Sequence, residues 1–345
     1  MRRFGLLLCV SVCLGMGTAQ AQQQYAAVLL EYLTGDADAA VVKVRGLDYT
    51  EILAGVDAFN TTHARQLLPG AAALHTEAAF RTPTGSPGSS LNMFHLQIAT
   101  AIVEFGDGSK VKPNSPYALH PVAAAPVNDD FRRLWYCAVI TVLLNSTRPA
   151  QTVPYLKRAL GLFPSSVEIR LLAGIEEDMR TSPRMSGLSA GDRRDALKAA
   201  EANYRFVLQT QPDRAEARLR LGRVLQLRNE LPQARALLAP LVAVPDNRIA
   251  YLSQLFLGGI EDATGHPDAA LAAYDGATRR WADAQTARIA ASELRHRKGE
   301  REAAAEDVRE ATGTADTFDP WWTYVFGEYW RAPLLLDALR KLRQG

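Results

Sequence analysis

The sequence predicts an all-α chain: a solenoid of stacked helix pairs preceded by an irregular helical amino-terminal region. Two observations predict it. A six-residue unit, Asn229-Glu230-Leu231-Pro232-Gln233-Ala234, returns as Gly265-His266-Pro267-Asp268-Ala269-Ala270 and again as Gly299-Glu300-Arg301-Glu302-Ala303-Ala304. The step from Ala234 to Ala270 is 36 residues and that from Ala270 to Ala304 is 34. A fixed period near 34 with a helix, a tight turn and a second helix in each copy marks a helical repeat. Ala and Leu are abundant, whereas the Val/Ile/Thr alternation of strands is rare.

The order of the chain gives four parts: a leader over 1–21, a helical amino-terminal region with loops over 22–127, repeats over 128–313 and a closing helical segment over 314–345. In the leader, Arg2 and Arg3 precede an apolar run from Phe4 to Gly17, and Ala19-Gln20-Ala21 has the small-x-small form of a cleavage site. The run is too short for the roughly 20 residues of a membrane-spanning helix. The expectation is a signal peptide cut after Ala21 and a periplasmic or secreted protein. Cys9 and Cys13 leave with it, and Cys137 alone cannot form an internal disulfide. Without Arg2 and Arg3 the 39 basic residues become 37, equal to the 37 acidic ones. That balance argues against nucleic acid and anionic membrane surfaces as partners.

In the amino-terminal region, Tyr25–Leu33 reads as a helix, Gly35-Asp36 breaks it, and Ala39–Val44 follows, ending near Gly46. Ile52, Leu53, Val56 and Phe59 share a helical face. A helix is expected from the caps at Asn60-Thr61-Thr62 to Phe80, with Pro69 starting or kinking its second part. Residues 82–89 form a loop by composition, and Leu91–Phe105 is helical. Residues 106–127 hold Pro113, Pro116, Pro121 and Pro126 and read as a linker or as part of a binding surface. His75, Glu77 and His95 invite a metal reading. Residues two apart on a helix point to different faces, however, so packed histidines are the expectation and no metal or other cofactor is assigned.

Asp129–Asn145 and Gln151–Phe163 pair, closed by Pro164. Ser165-Ser166 caps Val167–Met179, turn formers fill Thr181–Asp192, and a second helix runs over Arg193–Gln211. At the end, Asp319 caps a helix that Pro320 opens, carrying Trp321, Trp322 and Tyr324. Another helix follows from Ala332-Pro333, with Leu335, Leu336, Leu339 and Leu342 on one side. The segment reads as the terminal cap a solenoid needs, or as an aromatic platform for a sugar or peptide; adjacent Trp321 and Trp322 cannot both face the core.

The repeated unit resembles the tetratricopeptide repeat (TPR). Leu221-Gly222 and Leu257-Gly258 stand at that family's Leu-Gly pair. Ala234, Leu238 and Leu241 in one copy, and Ala270, Tyr274 and Ala277 in the next, stand on the second helix. Ala200, Tyr204, Val207 and Pro212 fit an earlier copy, where Ala173-Gly174 replaces Leu-Gly. The last copy departs, with Ala291-Ser292 at that pair, and the family's Trp position holds Arg218 and Gln254. The resemblance implies a right-handed solenoid, an exported bacterial-type TPR protein, and a concave face made by the first helices. Carried over position by position, that face holds Arg223, Gln226 and Leu227, then Glu293, His296 and Arg297, with Asp178 and Met179 in an earlier copy. Both charge signs beside apolar positions suit a protein or peptide partner. There is no acid–base–nucleophile set, so the expectation is a non-catalytic scaffold. The alternative is an envelope enzyme or ligand-binding protein with its site around His75, Glu77 and His95.

Overall fold

The computed structural model describes residues 19–47, 51–52, 55, 67–81, 90–105, 128–144, 151–182, 188–313, 319–326 and 331–342. Most of the expected leader, the face continuing through Leu53, Val56 and Phe59, the caps at 60–62, the loop 82–89 and the stretch 106–127 lie outside them. The described residues form sixteen α-helices and no strand. In order these are α1 Ala19–Thr34, α2 Ala37–Arg45, α3 Leu68–Phe80, α4 Ser90–Phe105, α5 Asp129–Leu144, α6 Thr152–Leu162, α7 Val167–Arg180 and α8 Ala190–Thr210. They continue with α9 Ala215–Leu227, α10 Leu231–Leu238, α11 Asn247–Ala263, α12 Pro267–Arg280, α13 Gln285–Arg297, α14 Arg301–Gly313, α15 Pro320–Phe326 and α16 Arg331–Leu342. The chain divides into two compact units, Met1–Phe163 with Tyr329–Gly345, and Pro164–Glu328.

The first unit is built on α3. Pro69 sits in its first turn, where a missing N–H costs nothing. Leu68 to Ala79 are all buried, so α3 is a central helix without a wet face. It packs on α1, α2, α4 and α5. The Trp135 indole of α5 donates to the Thr76 hydroxyl at 2.9 Å, which satisfies the indole N–H inside the core. The Asp36 carboxylate caps α2 through the N–H groups of Asp38 and Ala39, both at 3.0 Å.

In the second unit the pairs are α7–α8, α9–α10, α11–α12 and α13–α14. The last three turns repeat one geometry. Asn229, Gly265 and Gly299 have φ of 62°, 78° and 85°. The next N–H, of Glu230, His266 and Glu300, reaches back to the carbonyls of Leu225, Glu261 and Arg295 at 2.8–2.9 Å. This is a left-handed helix stop, which glycine adopts freely and asparagine tolerates. The first helices share another device. The guanidinium groups of Arg170, Arg218 and Arg288 donate to the carbonyls of Pro164, Pro212 and Ala282, six residues back, at 2.9, 2.8 and 3.2 Å. Arg218 thus occupies the position of the family's Trp and fastens the turn between pairs instead of filling it with a ring.

Glycine sets the spacing within pairs. A Cβ on Gly174, Gly222 or Gly258 would lie 2.5, 2.7 or 2.4 Å from Tyr204, Leu238 or Tyr274 of the facing helix. In the last pair Ser292 replaces glycine, and its hydroxyl donates to the Ala304 carbonyl at 2.8 Å. The residue at the Tyr274 register there is Val308, which is exposed. In α10, Pro240 ends the second helix early, and residues Ala239–Ala243 continue as a 3-10 turn that still buries Leu241.

The closing segment 314–345 is divided between the two units. The helix α15 belongs to the second unit and α16 to the first. The cause in α16 is side-chain chemistry. It buries Ala332, Leu336 and Leu339, leaves Leu342 exposed, and packs on α3 and α5. Arg340 binds Glu77 of α3 at 2.6 Å and Asp38 at 2.8 Å.

Candidate partner-binding site

The face made by the first helices α7, α9, α11 and α13 carries a short aromatic helix, α15. Asp319 precedes it and Pro320 opens it, which fixes where it starts: one carboxylate oxygen accepts the N–H of Trp321 at 2.9 Å. The other accepts both the N–H and the hydroxyl of Thr286 on α13 at 2.7 Å. Trp321 and Tyr324, three apart, stack on each other and set their edges against Phe256 of α11, with centroids 5.9 and 5.3 Å away. The guanidinium of Arg220 on α9 lies 4.7 Å from the Tyr324 ring centre, and that of Arg223 lies over Phe256 and Trp321 at 4.9 and 5.5 Å. The Tyr324 hydroxyl donates to Asp178 of α7 at 2.7 Å. About two turns of helix, with the Asp319 that precedes them, therefore touch four successive first helices. Trp322 points away and is exposed.

Charge is concentrated beneath this helix. Asp178, Glu216 and Arg220 are all buried. Burial pushes the Asp178 carboxyl up, while Arg220, the Tyr324 hydroxyl, Arg223 and Tyr204 hold it back. Arg220 bonds Glu216 at 3.2 Å and lies 3.7 Å from Asp178. The Tyr324 phenol is pushed well above its ordinary range by burial and by Asp178, so it stays a donor.

The first unit brings its three singled-out residues into two separate sets. His75 and His95 meet through their Nδ1 atoms at 2.9 Å, and the Tyr25 hydroxyl bonds His75 Nε2 at 2.9 Å. Burial lowers the His75 pKa well below the usual value and takes that of His95 down to about 4. Both are neutral packing groups at pH 7. Glu77 faces elsewhere, accepting from Tyr32 at 2.5 Å and from Arg340. Among the described residues no group of three or more His, Cys, Asp or Glu is placed to hold a metal ion.

Two tetratricopeptide-repeat family models match the chain, over residues 188–255 and 260–320. Residues 188–255 and 260–320 of this chain are tetratricopeptide repeats. Solved structures with similarity include MamA from Desulfovibrio magneticus RS-1, 19% identical, covering 55% of this chain and 99% of that one, with a TM-score of 0.42. Another is YrrB, described as a TPR protein with an unusual peptide-binding site, 18% identical, covering 54% and 88%, with a TM-score of 0.39. No curated protein matches the chain significantly. TPR proteins bind protein partners and are generally non-catalytic, so the repeats make this chain a protein–protein interaction scaffold.

Within the TPR frame, the residues singled out in the sequence fall into three groups. Asp178 and Arg223 lie under α15: Asp178 is buried rather than lining an open groove, because the Tyr324 hydroxyl covers it. Gln226 accepts from Arg223 at 2.7 Å and donates to the Phe256 carbonyl at 3.2 Å, and Leu227 beside it is 42% exposed. Glu293, His296 and Arg297 are exposed on α13, with Arg297 bonded to Asp262 at 2.6 Å. Arg220, Phe256 and Thr286 were missed. Arg220 and Phe256 each stand two residues before the glycine of their copy, a register that the Leu-Gly pairs make readable.

Proposed function

We propose that the chain is an exported TPR scaffold that holds a short segment of a protein partner on its first-helix face and performs no chemistry there. The observation that supports this is α15 itself, gripped by Asp178, Arg220, Arg223, Phe256 and Thr286 from four successive first helices. Near-equal numbers of basic and acidic residues favour protein over nucleic acid as partner. No described helix is long and apolar enough to cross a membrane.

The receptor reading is tested by placing charge on the exposed side of the face. Leu227→Asp with Arg297→Glu is expected to lower partner capture at least tenfold with the melting temperature held within a few degrees. Unchanged capture removes the face from consideration. Export is tested by fractionation and amino-terminal sequencing. A periplasmic or secreted chain starting at Gln22 is expected, and a cytosolic chain retaining Met1 contradicts it.

A further inference from the structure

We infer that the first-helix face is occupied in cis by the chain's own ligand, α15, and that its partner presents the same element: a short helix opened by Asp-Pro with two aromatic residues three apart. This rests on the receptor reading above and adds the partner's chemistry and the regulation of the site.

Three observations carry it. First, α15 is placed as a ligand rather than as a cap. A cap would extend the stack beyond α14, whereas Tyr324 reaches Asp178, 146 residues back, in the first pair of the unit. At 7 residues α15 is also too short to be helical by itself, so the face holds its shape. Second, the contacts are chemically selective. An arginine lies over each ring of the stacked Trp321–Tyr324 pair, a carboxylate accepts from the phenol, and Thr286 binds the Asp319 carboxylate. An aliphatic helix would leave Asp178 without its shortest hydrogen bond. Third, the covered surface is charged. Permanently filled cores are served as well or better by apolar residues than by buried ion pairs. Asp178, Glu216 and Arg220 beneath α15 suit a surface that is alternately covered by an aromatic helix and wetted by solvent.

Occupancy in cis makes the partner compete with a tethered segment, whose effective concentration is of the order of millimolar. The test uses the full mature chain and a fluorescein-labelled synthetic peptide, Thr-Phe-Asp-Pro-Trp-Trp-Thr-Tyr-Val-Phe-Gly-Glu, matching residues 317–328. Anisotropy titrations compare wild type with a variant carrying Trp321→Ala and Tyr324→Ala. The opened variant is expected to bind about tenfold or more tighter than wild type. A peptide with phenylalanine in place of its tyrosine is expected to bind that variant several-fold more weakly. Equal, measurable affinity for both proteins overturns self-occupancy and leaves the receptor reading standing. No binding to either overturns both. Tyr324→Phe removes one oxygen and keeps the ring, so it decides the matter if circular dichroism shows the double variant unfolded: tighter peptide binding than wild type supports the inference, and unchanged binding overturns it.

Discussion

The same substitution, glycine to alanine, is expected to have opposite signs at Gly258 and Gly161. Both glycines are helical, so alanine gains up to about 1 kcal/mol of helix propensity at each. At Gly161, the next-to-last residue of α6, an added Cβ meets nothing within 4 Å, and a smaller but still favourable change is expected. At Gly258 the Cβ would lie 2.4, 2.6 and 2.9 Å from three ring carbons of Tyr274. The first of these is roughly 1 Å inside ordinary contact, and Tyr274 is only 6% exposed, so the ring has little room to withdraw. Overpacking of this kind costs about 1–3 kcal/mol. The net effect of Gly258→Ala is a loss of up to about 2 kcal/mol, or several degrees in the melting temperature of a unit this size. Gly258→Leu is expected to lose more. Tyr274→Val removes the ring that the added Cβ meets, so although it costs stability by itself, a favourable coupling of about 1 kcal/mol with Gly258→Ala is expected in a double-mutant cycle. Calorimetry of the four proteins measures it. A Gly258→Ala chain stabilised as much as Gly161→Ala would refute the close helix contact assigned to the repeat.

Other consequences follow from buried charge. The Glu176 carboxyl, in α7, is pushed to about 7 by burial and by Glu177. Its folded pKa lies above its unfolded one, so its effect on stability worsens as pH rises from 4.5 toward 7. Glu176→Gln should stabilise at pH 8 by at most about 3 kcal/mol and by nothing near pH 4, as read by denaturant titration at both values. The histidines act in the other sense. With His95 lowered to about 4 and His75 lowered as well, the first unit should lose stability as pH falls from 6.5 toward 4. His95→Gln should flatten that slope, and an unchanged slope would place the titration elsewhere. Arg340→Ala leaves the fully buried Glu77 with Tyr32 and Arg81 as its side-chain partners among the described residues. A loss of about 2–3 kcal/mol is expected, and a change under about 0.5 kcal/mol would show that the pair does not hold α16 in place.

What was legible in the sequence was local. The recurring Asn229, Gly265 and Gly299 turns mark a left-handed backbone that few residues adopt, so they stand out in one dimension. The registers of Ala234, Ala270 and Ala304 follow from helical spacing, and the caps at Ser166 and Asp319 from residue type. The departure at Ser292 was visible, but its partner was not: the hydroxyl bonds the carbonyl of Ala304 across the pair. The aromatic segment shows the limit most clearly. Its helix start, its Pro320 and the opposed directions of Trp321 and Trp322 were readable. Its seat was not, because the decisive bond runs from Tyr324 to Asp178, and periodicity encodes neighbouring pairs rather than a contact across the whole array. For the same reason the repeat register puts Asp178 on the groove without revealing that Tyr324 buries it. The return of α16 to the first unit rests on Arg340 and Glu77, 263 residues apart, which no pattern in either helix announces.

The most direct test of the account places a photo-crosslinking amino acid at Leu227, beside the seat of α15, in cells making the full chain. The adduct is mapped by mass spectrometry with and without excess peptide of residues 317–328. The account predicts a crosslink to a partner segment carrying aromatic residues three apart, lost when the peptide is present. A crosslink to a segment without aromatic residues, or one that the peptide leaves unchanged, would contradict it.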